Sequence, residues 1–172
     1  YLLTPDEPDT ARLLARVLPA LAAGPAWLQY RNKVATPARQ REQLAELLPA
    51  CRALGIPLLV NDDWRLAAEL GAQGAHLGQD DGSLAEARAA LGPAALLGAS
   101  CYDQLALAER AAAAGASYVA VGAVGAPIGR AALGLVIEGN IAAGDRDAEF
   151  LARVRQPSGC LLELPHDLWV FW

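Results

Sequence analysis

Methionine is absent from this 172-residue chain, histidine occurs twice and cysteine three times. The cysteines, Cys51, Cys101 and Cys160, are odd in number and scattered. They fit neither a disulfide framework nor metal-ligand spacing, and read as reduced thiols of a cytoplasmic protein, with Cys51 as core packing on a helix stripe. No apolar run reaches the ~18 residues that would suggest a membrane-spanning helix. There is no Lys/Arg cluster and net charge is −5, so neither nucleic acid nor a membrane surface is an expected partner. An anionic ligand would need a local site of positive charge. With only His76 and His166 available, no Ser/His/Asp or Cys/His set can be assembled. No G-x-G-x-x-G follows the first apolar run, which removes the usual support for a dinucleotide fold. The opening Tyr1-Leu2-Leu3-Thr4 has no charged segment ahead of an apolar stretch, so no signal peptide is expected. It also lacks an initiator methionine, so the chain is expected to be trimmed at its start.

What is present is a globular composition, 54% apolar and 19% charged, and a length that suits one domain, taken here as residues 1–172. Short apolar runs alternate with helical periods. Tyr1 to Thr4 reads as a first strand. A helix then starts at Pro8-Asp9-Thr10, has Leu13, Leu14, Val17, Leu18 and Leu21 on its stripe, and stops at Gly24. Ala26 to Asn32 is a second strand. Thr36 and Pro37 are N-cap and first turn of a helix whose stripe is Leu44, Leu47, Leu48, Cys51 and Leu54 and whose cap is Gly55. Further strands are expected over Pro57 to Asn61, Ala75 to Gly78, Leu96 to Ser100 and Tyr118 to Gly122, and Ser83-Leu84-Ala85-Glu86 has the form of a capping box. The strands are continuously apolar, as when both faces are covered. This alternation predicts parallel βαβ units and an α/β fold.

In a barrel of such units the chemistry sits at the C-terminal strand ends. Strand alternation puts Gln29, Arg31 and Lys33 on one face of the second strand and Leu28, Tyr30 and Asn32 on the other, toward the helices. Two cations and an amide at a barrel mouth suit a phosphate or diphosphate; the alternative is that both cations lie past the strand end in solvent. The third strand ends Asn61-Asp62-Asp63, with Asp63 the natural helix cap and Asp62 left to face the mouth. The fourth ends Gly78-Gln79-Asp80-Asp81. Two carboxylates from neighbouring strand ends suit Mg²⁺; turn and capping duty is the alternative for all four acids. Ser100 ends the fifth strand, as a ligand or as a cap for the helix near Asp103. His76 reads as a satisfied interior histidine rather than a base. As a set, these groups predict magnesium-assisted chemistry on a phosphorylated small molecule.

Leu28-Gln29-Tyr30-Arg31-Asn32-Lys33, Val60-Asn61-Asp62-Asp63, Gly74-Ala75-His76-Leu77-Gly78-Gln79-Asp80-Asp81, Leu97-Gly98-Ala99-Ser100 and the run Gly115 to Gly122, with Tyr1-Leu2-Leu3-Thr4-Pro5 before them, resemble the thiamine phosphate synthase family in order and spacing. The resemblance covers residues 1–122. It implies a TIM (βα)8-type barrel and a Mg²⁺-dependent transferase that joins hydroxymethylpyrimidine diphosphate to thiazole phosphate and releases pyrophosphate. It would place the diphosphate and pyrimidine contacts on Gln29, Arg31, Lys33, Asn61 and Ser100, and the magnesium ligands on Asp62 and Asp81. The implied mechanism is dissociative, with a pyrimidine-methyl cation captured by the thiazole nitrogen.

Residues 123–172 diverge. The sixth strand leads into Ala123-Val124-Gly125-Ala126-Pro127-Ile128-Gly129-Arg130 and lacks the Thr/Ser-rich loop and phosphate-gripping lysine of the family; its later Gly-Gly-Ile loop is absent too. Leu133 to Ile137 is expected as a seventh strand with no helix before it, Asp147 to Val154 as a helix and Cys160 to Leu164 as an eighth strand, so the barrel is either closed or incomplete at this end. The aromatic end Leu168 to Trp172 is expected to promote aggregation if exposed. A shifted reading frame or a divergent end on a truncated gene would each give such a tail. Two other functions compete: a catalytically dead or impaired remnant that folds poorly or only binds pyrimidine diphosphate, and a thiazole tautomerase-like relative, which would carry a histidine where this chain has Ala123. The oligomeric state is not fixed by the sequence.

Overall fold

The structure, a computed structural model, describes residues 1–102, 104–121, 134–138 and 169–171. Six strands, β1 (Leu2–Leu3), β2 (Leu28–Tyr30), β3 (Leu58–Asn61), β4 (Gly74–Leu77), β5 (Leu96–Tyr102) and β6 (Tyr118–Val121), pair in chain order and all in parallel. Between them run α1 (Thr10–Leu21), α2 (Pro37–Leu54), α3 (Trp64–Leu70), α4 (Leu84–Leu91) and α5 (Leu105–Ala113). A parallel ladder needs such crossovers, and the helices cover its outer face.

The sheet is curled into a half-barrel. The Trp27 ring, just before β2, lies 5.4 Å from the ring of Tyr118 on β6. On a flat sheet, strands four places apart would be separated by about 19 Å at ~4.8 Å per strand. Inside the curl, Trp27, Leu59 and Tyr118 form a small apolar floor. Outside it, Leu28, Leu58, Val60, Ala75, Leu77 and Leu97 meet Leu13, Leu44, Leu47 and Cys51 of the helices in the main core. Both strand faces are therefore apolar, which is why these segments show no alternation.

The caps follow the sequence. Asp9 accepts from Arg12 N at 2.8 Å, Thr36 from Arg39 N at 3.3 Å, Asp63 from Leu66 N at 2.8 Å and Ser83 from Glu86 N at 3.4 Å. Gly55 ends α2 at φ +68°, a conformation that costs glycine little. Two stripe assignments fail: Leu18 and Leu54 are 41% and 55% exposed. Leu18 lies on the margin of α1, whose buried residues are Leu13, Val17 and Leu21. At the end of α2, the chain turns back at Gly55 and buries Ile56, whose N–H donates to Cys51 O at 2.9 Å.

β7 (Gly134–Glu138) corrects the expected barrel order, because it pairs antiparallel with β6. A parallel neighbour would have needed a crossover connection, usually a helix, whereas an antiparallel one does not. β8 (Trp169–Phe171) pairs antiparallel with β7, so part of the aromatic end is in the sheet. The helix expected over 147–154 and the strand over 160–164 lie outside the described residues. No helix among the described residues is long and apolar enough to cross a membrane.

Candidate active site

The C-terminal ends of β2 to β5 open onto a cleft of about 510 Å³. Gln29, Arg31, Lys33, Asn61, Asp62, Asp81 and Ser100, all singled out in the sequence, line it together. Strand register explains the convergence. Asn61 pairs with His76, His76 with Gly98 and Gly98 with Tyr118, so these positions form one inward layer.

The polar groups are linked. Gln29 donates its amide to Asn61 Oδ1 at 2.7 Å, and Asn61 donates to Asp62 Oδ1 at 2.6 Å. The other oxygen of Asp62 is ion-paired with Lys33 Nζ, and Lys33 is the only lysine in the chain. Asp62 has φ +67°, in the left-handed region that Asp tolerates better than most residues. Together with the bond from Asp62 N to His76 O at 2.7 Å, that backbone turns its carboxylate into the mouth while Asp63 caps α3. Among the described residues, Oε1 of Gln29 is buried with no hydrogen-bond partner, leaving an acceptor for a ligand N–H.

Asp81 faces Asp62. Its Oδ2 accepts from Gly78 N at 2.7 Å. Burial raises its carboxyl above the ordinary range and the neighbouring Asp62 adds to the rise, against the Gly78 N–H and the charge of Lys33. Two close carboxylates with an uncompensated charge are a hard-oxygen pair suited to Mg²⁺, which keeps several waters and takes phosphate oxygens as its remaining ligands. No group of three or more His, Cys, Asp or Glu side chains that could hold a metal occurs among the described residues.

Sequence reading missed the support. Asp6, in the β1–α1 loop, holds Lys33 N at 2.7 Å and reaches the Arg31 guanidinium at 3.3 Å. The Lys33 N–H and the two cations hold its carboxyl below the usual range, against some desolvation. On the outer side, Gln43 of α2 is fully buried. Its Oε1 accepts from Tyr30 at 2.7 Å and Asn32 at 2.9 Å, and its Nε2 donates to Glu7 O at 2.9 Å. Tyr30 and Asn32 thus turn toward the helices while Gln29, Arg31 and Lys33 turn inward, the alternation expected for β2. Nothing in the sequence marks Asp6, which sits in a loop. Gln43 carries a weak signal, as a polar residue beside the apolar Leu44, Leu47 and Leu48.

His76 is buried and bonded at both ring nitrogens, Nδ1 to Tyr118 OH at 3.0 Å and Nε2 to Ser100 Oγ at 2.9 Å. Burial lowers its pKa to about 4, with the charge of Asp62 opposing. It is a neutral interior histidine, as expected. Ser100 bonds His76 from within the cleft, and α5 begins after Gln104 without a side-chain cap.

Comparison with known proteins adds the lineage. The family model described as thiamine monophosphate synthase matches residues 1–128. A thiamine-phosphate synthase of Azoarcus sp. (strain BH72) is 56% identical over 124 residues, covering 72% of this chain and 60% of the relative. One from Xylella fastidiosa (strain Temecula1) is 56% identical over 123 residues, covering 72% and 52%. The chain therefore spans between half and three-fifths of the length of these curated relatives. The solved thiamine phosphate pyrophosphorylase from Pyrococcus furiosus superposes with a TM-score of 0.61 at 28% identity, over 73% of this chain and 60% of that one.

Proposed function

The chain belongs to the thiamine monophosphate synthase family, and from that premise we propose that it joins hydroxymethylpyrimidine diphosphate to thiazole phosphate with release of pyrophosphate. The observation that carries this reading is the convergence of Arg31 and Lys33 with the Asp62–Asp81 pair in one cleft. Arg31 and Lys33 take the diphosphate oxygens. Asn61 orients Asp62, and the unpartnered Gln29 Oε1 accepts from an amino group on the pyrimidine. Asp62 and Asp81 would hold Mg²⁺, which supplies charge neutralisation to the departing pyrophosphate. Chemistry of this kind needs little acid–base help, which agrees with a His76 that burial keeps neutral. The bond between the pyrimidine methylene carbon and the diphosphate oxygen breaks first, and the thiazole nitrogen captures the resulting cation. The residues contribute position and charge.

The half-barrel is read as part of a TIM (βα)8-type domain over residues 1–172, family-like to 122 and divergent from 123, acting on small molecules in the cytoplasm. A second reading is favoured by the antiparallel β7 and β8, which stand where a barrel would continue in parallel. In it, the protein binds pyrimidine diphosphate without turnover. A coupling assay with Mg²⁺, pyrimidine diphosphate and thiazole phosphate separates the two. Thiamine phosphate that disappears in Asp62→Ala and Arg31→Ala supports the synthase. Diphosphate binding without product supports the second reading.

A further inference from the structure

We propose that Tyr118 is a positioning residue: through His76 it fixes the direction of the Ser100 hydroxyl, so that Ser100 presents its proton to an anion in the cleft. The proposal rests on the reading of this cleft as a diphosphate site.

The three side chains form a chain of hydrogen bonds across β6, β4 and β5. Tyr118 OH lies 3.0 Å from His76 Nδ1, and His76 Nε2 lies 2.9 Å from Ser100 Oγ. The imidazole is buried and both its ring nitrogens meet hydroxyl groups, each able to donate or to accept, so with one N–H and one bare nitrogen on the ring the role of one partner dictates that of the other. A phenol is more acidic than an alkyl alcohol and is the stronger donor. When Tyr118 donates to Nδ1, Nε2 carries the hydrogen and donates to Ser100 Oγ, and the serine proton is left to point into the cleft. The opposite tautomer would draw that proton onto the ring and turn the oxygen lone pairs toward an anion.

The surroundings preserve the contact. The Tyr118 ring rests against Trp27 at 5.4 Å, which sets the height of its hydroxyl. Between His76 and Tyr118 on the sheet lies Gly98. A Cβ there would come within 2.4 Å of both His76 Nδ1 and the Tyr118 hydroxyl. The absence of a side chain at this one position lets the two groups meet.

The test uses the full chain labelled with ¹⁵N-histidine, with His166→Gln to assign the two rings. The expected spectrum shows His76 as the Nε2–H tautomer at neutral pH, and Tyr118→Phe, which keeps the ring against Trp27, turns it into a mixture. The binding probe is inorganic pyrophosphate with Mg²⁺, followed by calorimetry. Tyr118→Phe is expected to weaken it about fivefold, the scale of one hydrogen bond, and to have no further effect in a Ser100→Ala background. An Nδ1–H tautomer in the unsubstituted protein, an unchanged tautomer in Tyr118→Phe, or additive losses in the double variant would each overturn the proposal. Unchanged pyrophosphate affinity in Ser100→Ala overturns the anion-site reading beneath it, which the tautomer result distinguishes from failure of the relay itself.

Discussion

Lys33 and Asp62, from the ends of β2 and β3, are ion-paired across the mouth of the cleft. Asp62 therefore neutralises the lysine beside it, and a cation on Asp62 would release that ammonium for an anion. Pyrophosphate is expected to bind at least about tenfold tighter with Mg²⁺ than without it. Lys33→Met should weaken the Mg²⁺-dependent binding ten- to a hundredfold, the loss of one charge-assisted hydrogen bond worth roughly 1.5–3 kcal/mol. Calorimetry at fixed ionic strength reads both, and unchanged affinity in Lys33→Met would remove this residue from the site.

The Asp62–Asp81 pair predicts a trade between stability and metal binding. The Asp81 carboxyl is raised, so its ionisation costs stability as pH climbs through and above the ordinary carboxylate range. Asp81→Asn keeps an acceptor for Gly78 N and removes the like charge. It should stabilise the metal-free protein by roughly half a kcal/mol after allowing for solvent screening, and should abolish any Mg²⁺-induced rise in Tm. Thermal unfolding with and without Mg²⁺ checks both parts; a lower Tm without metal would contradict the electrostatic account.

His76 makes stability depend on pH in a defined window. Its pKa falls from 6.5 in the unfolded chain to about 4 in the fold. Between those values the unfolded state binds the extra proton, so stability rises with pH from about 4 to 6.5 and is lost on acidification. The contribution is on the order of 3 kcal/mol. Urea titrations at pH 4.5 and 6.5 should show this slope in the unsubstituted protein and a flatter one in His76→Asn.

Gly98→Ala should destabilise the fold and disturb the relay together. Its Cβ would lie 2.2 Å from the Tyr118 ring carbon Cζ, an overlap that repacking relieves at a cost of about 1–3 kcal/mol. The urea midpoint is expected to fall with m unchanged. A neutral effect would mean that β5 and β6 separate more easily than this packing implies.

Gln43→Leu tests the outer network. It strands the Tyr30 hydroxyl and removes the acceptor shared with Asn32, at about 1–3 kcal/mol per unsatisfied group. Because Asn32 lies between Arg31 and Lys33, pyrophosphate affinity should fall along with stability. Chemical unfolding and calorimetry on one preparation decide whether the two losses travel together.

Much of this protein is legible in one dimension because its signals are local. Pro37, Gly55 and Asp63 are capping chemistry that acts within a few residues. The period-two alternation of Gln29, Arg31 and Lys33 against Tyr30 and Asn32 needs only a strand. The apolar runs at 58–60 and 96–97 mark strands covered on both faces. Family motifs through residue 122 follow from the same stretches. Other features depend on groups distant in the chain. Asp6 meets Arg31 and Lys33 only because β1 and β2 are neighbours, and Gln43 becomes a hub only when α2 lies over the Glu7 loop. The left-handed turn of Asp62, which aims its carboxylate at the mouth, is invisible in the letters Asn-Asp-Asp. Tyr118 reaches His76 because the sheet curls and Gly98 leaves the path open. The sequence by itself determined the strands, the caps and the inventory of charges, since short-range sterics and hydrogen bonding settle these. Only the tertiary structure decided which charges confront one another and how β7 returns, because those outcomes depend on the curvature of the sheet and the register of strands far apart in the chain.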